Sequence, residues 1–91
     1  MYRLKLTETA KKGLLRFNHA EQQMIAKKLR YLAENFPELK RSKKVTELKG
    51  AEFRHYRYVI ARRIRAIFEV REGELILLIL KIGRRKDIYN R

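Results

Sequence analysis

Residues 64–89 read IRAIFEVREGELILLILKIGRRKDIY, and the two halves of this stretch carry different strand signals. Ile64, Ala66, Phe68 and Val70 alternate with Arg65, Glu69 and Arg71, the period of two of a strand with one buried face. Glu72-Gly73 follows as the expected source of the positive φ that a tight hairpin turn requires. From Leu75 to Leu80 every residue is apolar, which suits a strand covered on both faces and predicts the central strand of a sheet. Gly83, Arg84, Arg85, Lys86, Asp87 and Tyr89 come directly after it. A cationic segment is thereby held against the most rigid part of the fold, where a site gains from fixed side chains.

Upstream, Phe53 to Ala61 reads as another strand, with Tyr56, Tyr58 and Ile60 facing the core and His55, Arg57 and Val59 facing out. The opposite choice would bury an unpaired guanidinium, which is costly. Arg65 then shares the open face with Arg57. The turn at Ala61 to Arg63 contains no Gly or Asn, so its type and register stay open. Residues 38–52, ELKRSKKVTELKGAE, show no sustained periodicity and predict a connecting loop. Its cations Lys40, Arg41, Lys43 and Lys44 are either a solvated cluster or a contact for phosphates.

The first third of the chain is helical after a short strand at Tyr2, Leu4 and Leu6. Thr7 can cap a helix running to about Arg16, with Ala10, Leu14 and Phe17 on its buried side. Gly13 either weakens that helix or lets it approach a neighbour closely. Asn18 and Glu21 have the form of a capping box, and Ile25, Leu29, Leu32 and Phe36 make one stripe of a second helix. Pro37 disfavours helical geometry at Phe36 and is expected to end it. The expected architecture is α+β: a short N-terminal strand, a helical hairpin, then a three-strand antiparallel meander, with the helices on one face of the sheet.

The 91 residues make one domain, 1–91, with one modest core. Against 10 Asp+Glu stand 24 Lys+Arg, a net charge of +14, and a small fold with that excess calls for a polyanion or an acidic protein partner. With no cysteine, disulfides and thiolate zinc sites are excluded. His19 and His55 are the only histidines and the acids are scattered, so neither a metal site nor a cofactor is expected. No apolar run approaches the roughly 20 residues of a membrane span, and the N-terminus does not read as a signal peptide. A cytoplasmic protein is expected.

No nucleophile–base pair is visible. What remains is Arg57, Arg65, Arg84, Arg85 and Tyr89. Guanidinium groups bind phosphate bidentately and suit a phosphorane-like transition state. Tyrosine can stack on a base or exchange a proton. RNA supplies its own nucleophile in the 2′-hydroxyl, so these groups would suffice for transesterification. They would equally make a nucleic-acid-binding face without catalysis, as in a ribosomal or other RNA-binding protein, and chemistry alone favours that simpler reading. Tyr56 and Tyr58 read as core aromatics, and His55 as a surface strand residue before a general acid.

The layout of a short strand, a helical hairpin, Leu48 to Gly50 (LKG) entering a strand, then IRAIFEV (Ile64 to Val70) and KIGRRKDIY (Lys81 to Tyr89) resembles the RelE/ParE family of toxins from toxin–antitoxin operons. The resemblance spans the chain. For a RelE-like member it implies a ribosome-dependent, metal-free endoribonuclease that cuts mRNA and is restrained by an acidic antitoxin in a hetero-oligomer; the ParE branch is associated with inhibition of DNA gyrase. It places phosphate and transition-state contacts at Arg65 and Arg85, with Arg84 the neighbouring possibility, and the near-terminal tyrosine at Tyr89. Arg57 matches one of a basic pair whose other position is Val59, or a tyrosine if the register differs by one, and Ile64 stands where the family carries tyrosine. Lys43, Lys44, His55, Arg84 and Lys86 are the expected RNA-binding residues around this centre.

Overall fold

The structure is a computed structural model and describes residues 1–48 and 55–88. Its elements in chain order are β1 (Arg3–Leu6), α1 (Glu8–Leu15), α2 (His19–Arg41), β2 (Val45–Leu48), β3 (His55–Ala61), β4 (Ile64–Arg71), β5 (Ile76–Arg84) and α3 (Arg85–Ile88). The strands form one mixed sheet in the order β1-β5-β4-β3-β2. The meander β3-β4-β5 is antiparallel, as short connections require, and β1 lies parallel to β5 on its far side.

Both helix starts follow from their caps. The Thr7 hydroxyl accepts from the Ala10 amide at 3.1 Å, and Asn18 and Glu21 close a reciprocal capping box. Ala10, Phe17, Ile25, Leu29, Leu32 and Phe36 are buried with Tyr56, Tyr58, Ala66, Phe68, Leu77 and Ile79 in one core. At its centre Tyr56 and Phe68 are cross-strand partners with stacked rings 5.5 Å apart, and Phe36 meets both edge-on. The aromatic-to-aromatic register fixes which face of β3 and β4 is open, since a slip of one residue would turn every side chain over.

Four expectations are corrected. Pro37 does not end α2: the chain leaves helical geometry at Asn35 (φ −128°, ψ 24°) and resumes, with Pro37 inside the element. Leu39 is buried like Phe36, so apolar burial draws the helix past the kink. Proline cannot donate to the carbonyl four residues back, and that carbonyl, of Ala33, accepts instead from the Tyr2 amide at 3.2 Å. Residues 38–52 are not simply a loop. They complete α2, then a Schellman turn with Lys43 in the left-handed position (φ 67°), then edge strand β2 paired to β3; residues 49–54 lie outside the described residues.

The turn after β4 is a single 3-10 turn at Glu72–Glu74, and the positive φ falls on Leu75 (54°) rather than Gly73. Finally, the apolar run does not make the middle strand. That place belongs to β4, with β5 between it and β1.

Two bulges flank β4 near its start. In the β3 ladder the register shifts between Val59 and Ala61, and in the β5 ladder Phe68 pairs with Ile79 but Ile67 with Lys81, leaving Leu80 extra. Strict alternation after Ile79 would send Lys81 inward. The extra residue restarts the alternation, so Ile82 is buried and Lys81 is exposed. Bulges of this kind re-aim side chains beside functional sites, and the cationic end of β5 begins directly after this one.

Candidate nucleic-acid interface

Three separate pieces of chain bring arginines to one end of the sheet. Arg57 is half-buried on the open face of β3. Arg62 and Arg63 form the two-residue turn between β3 and β4. Arg84 closes β5, and Arg85 and Lys86 begin α3. Together Arg57, Arg62, Arg63, Arg84, Arg85 and Lys86 line an open groove of about 730 Å³. No acid lines it among the described residues. Six like charges around one concavity leave a potential that an anion relieves.

The positions are held by the main chain. The Arg85 amide donates to the Arg63 carbonyl at 2.7 Å, tying the start of α3 to the turn. Ile88 is buried at the end of α3 and lines a smaller cavity with Phe17 and Ile82, which anchors the short helix to the sheet. Arg84 has its guanidinium carbon 5.0 Å from the centroid of the Phe17 ring, a cation–π contact that limits its freedom.

The other residues expected at the site fall elsewhere. Arg65 is half-buried beside the turn and does not line the groove. Its Nη1 donates to the carbonyls of Ala61 at 2.7 Å, Arg62 at 3.0 Å and Ile64 at 3.2 Å. His55 is half-buried, its Nε2 3.7 Å from the Glu69 Oε1, while the Glu69 Oε2 accepts from the Arg71 Nε at 2.8 Å. That hydrogen bond raises the Arg71 pKa above its ordinary value. Lys43 and Lys44 stand at the α2–β2 turn, and Lys44 lines a different groove with Met24, Lys27, Tyr31, Tyr58 and Val59. Tyr89 lies outside the described residues. The structure therefore groups Arg57, Arg84, Arg85 and Lys86 and sets Arg65, His55, Lys43 and Lys44 apart from them.

A family model described as the ParE toxin of type II toxin–antitoxin systems, parDE, matches residues 4–89. The chain belongs to the RelE/ParE toxin family. Among solved structures, the toxin is similar to one titled as the archaeal RelE–RelB complex from Pyrococcus horikoshii, at 26% identity and a TM-score of 0.72, over 94% of this chain and 97% of that one. The intact E. coli RelBE toxin–antitoxin complex (19% identity, TM-score 0.70, 92% of this chain and 96% of that one) and the isolated E. coli RelE toxin (20%, 0.70, 98% and 92%) share its fold. No curated protein sequence matches it.

In the toxin, the groove residues that the sequence did not single out are Arg62 and Arg63. They read only as a turn without glycine. The available signal was two adjacent arginines at the tip of a hairpin whose preceding strand already carried Arg57.

Proposed function

We propose that the toxin is a ribosome-dependent endoribonuclease that cuts mRNA by transesterification and so stops translation. The observation that carries this reading is the acid-free groove where Arg57, Arg62, Arg63, Arg84, Arg85 and Lys86 converge. The RNA 2′-oxygen attacks the adjacent phosphorus, and the bond from phosphorus to the 5′-oxygen breaks. The products are a 2′,3′-cyclic phosphate and a 5′-hydroxyl. Arg57 and Arg85 hold the non-bridging oxygens, whose charge grows in the transition state. Tyr89 exchanges the proton that passes between the 2′-hydroxyl and the leaving oxygen.

Among the described residues the groove offers no carboxylate, imidazole or phenol, and the family resemblance assigns this role to the near-terminal tyrosine. Lys43, Lys44 and His55, outside the groove, anchor ribosomal or messenger RNA through its phosphates. Reaction in the groove needs no cofactor or metal ion, whose positive charge its cations would repel.

An acidic antitoxin completes the picture as the hetero-oligomeric partner that offsets part of the +14 charge. The P. horikoshii relative is a RelE–RelB complex and the E. coli one a toxin–antitoxin complex. A second reading, inhibition of DNA gyrase, is favoured by the ParE description of the matching family model. The two part on one experiment. After induction, primer extension should reveal new 5′ ends inside translated codons, and the fragments should carry cyclic or 3′-phosphate ends. Intact mRNA with accumulated gyrase–DNA breaks would assign the toxin to the gyrase branch, and absence of any growth effect would leave passive RNA binding.

A further inference from the structure

Arg65 is bonded to the very turn that carries Arg62 and Arg63. A tight two-residue hairpin turn normally takes a left-handed residue to match the strand twist, yet neither Arg62 nor Arg63 has positive φ. The bulge between Val59 and Ala61 lies directly before the turn and takes up the mismatch, and the Ala61 and Arg62 carbonyls face the Arg65 side chain. Nη1 of Arg65 reaches the carbonyls of Ala61 and Arg62 at 2.7 and 3.0 Å. The carbonyl of Arg63 is taken by the Arg85 amide at 2.7 Å. Both halves of the turn are thus held by groups bound up with the site, and the two exposed arginines project from a fixed platform into the groove.

We infer that the β3–β4 turn is a separate phosphate-binding element, in which Arg62 and Arg63 grip RNA phosphates beside those held by Arg57 and Arg85, and that Arg65 is the positioning residue of this element. The inference rests on the ribonuclease reading for its ligand, single-stranded RNA. All the turn bonds come from Nη1, at the far end of a rigid planar group, and the shorter, freely rotating ammonium of lysine matches neither its reach nor its fixed orientation. Two guanidinium groups on a braced turn would grip phosphates with little ordering cost on binding. A mobile turn would lose that advantage.

The test is binding of a fluorescein-labelled, 2′-O-methyl single-stranded RNA octamer, which cannot be cut, across a series of salt concentrations. For a single strand, each phosphate contact contributes about 0.7 to the slope of log affinity against log salt. Arg62→Gln with Arg63→Gln should lower that slope by about 1.4. Arg65→Lys keeps the charge and loses the reach of the planar guanidinium. It should lower the slope in the same direction and speed hydrogen exchange at the Arg85 amide, with the fold verified by circular dichroism.

An unchanged slope in the Arg62/Arg63 variant overturns the turn as a binding element. An unchanged slope and unchanged exchange in Arg65→Lys, together with a drop of about 0.7 in Arg65→Gln, would make Arg65 a direct phosphate contact and overturn its positioning role. Because the octamer is never cleaved, failure of the parent toxin to cut mRNA would refute the ribonuclease reading while leaving these slopes to decide the turn.

Discussion

Gly13 of α1 lies against the main-chain carbonyl of Ile82 in β5, with no room for a β-carbon between them. The obstacle is backbone, so it cannot swing aside as a side chain would. Alanine gains about 1 kcal/mol over glycine in a helix interior, but overpacking against a fixed neighbour costs about 1–3 kcal/mol. Gly13→Ala should therefore lower the melting temperature by several degrees in a thermal scan. Because Ile82 directly precedes Gly83 and Arg84, the same variant should also weaken RNA binding. A melting temperature at or above that of the parent would show that α1 can withdraw without loss.

Arg57 and Arg85 line the groove, and the proposed ribonuclease chemistry gives them the reacting phosphate. Arg57→Ala and Arg85→Ala should each slow single-turnover cleavage on ribosomes by about 100-fold or more, the usual effect of one lost transition-state contact, and weaken ribosome binding far less. Parallel loss of binding and rate, with bound toxin still cutting normally, would reduce the groove to an anchoring surface.

Tyr89→Phe isolates the hydroxyl, since the ring remains for stacking. A proton-transfer role predicts a loss of about 100-fold or more in cleavage rate, within the usual range for general acid–base catalysis. Full activity in this variant, measured at saturating ribosomes, would leave Tyr89 only as a stacking surface.

Met24, Lys27, Lys28, Tyr31, Leu39, Lys44, Tyr58 and Val59 line another groove, which shares no residue with the arginine groove. Burial chiefly, and Tyr31 secondarily, push the Tyr58 pKa up, so its phenol stays neutral and the positive charge of the lysines is undiminished. This groove suits an acidic amphipathic segment of the antitoxin. Lys27→Glu with Lys28→Glu should slow association by about tenfold at low salt, with the difference shrinking as salt rises. Equal association rates at every ionic strength, measured by stopped flow, would place the antitoxin elsewhere.

The parts of this molecule legible in the sequence are those where one local signal decides. Alternation at Ile64 to Val70, the capping box at Asn18 and the aromatic side of β3 each have a single low-energy solution. Where two local signals compete, tertiary packing chose. Pro37 argues for a helix end, yet burial of Leu39 carried the helix through, and Tyr2 took the freed carbonyl. Val45 to Leu48 is too short to announce a strand beside the charged run 40–44, and exists because β3 offers it an edge. Arg57, Arg84, Arg85 and Lys86 were recognisable as site candidates by residue type. That Arg65 bonds the carbonyls of the turn was not, because neither those bonds nor the adjacent bulge has a signature among Ala61, Arg62 and Arg63.

The pairing of β1 with β5 closes a loop of most of the chain, as the Thr7 hydroxyl donating to the Leu80 carbonyl, 73 residues away, makes plain. Contacts so distant in sequence form late, because chain entropy must be surrendered before they repay it. During synthesis, Arg84, Arg85 and Lys86 are also the last of the six groove cations to emerge. A chain cut short before β5 has no partner for β1 and lacks three of the six groove cations. The groove is therefore complete only after β5 has been released and has taken its place between β1 and β4.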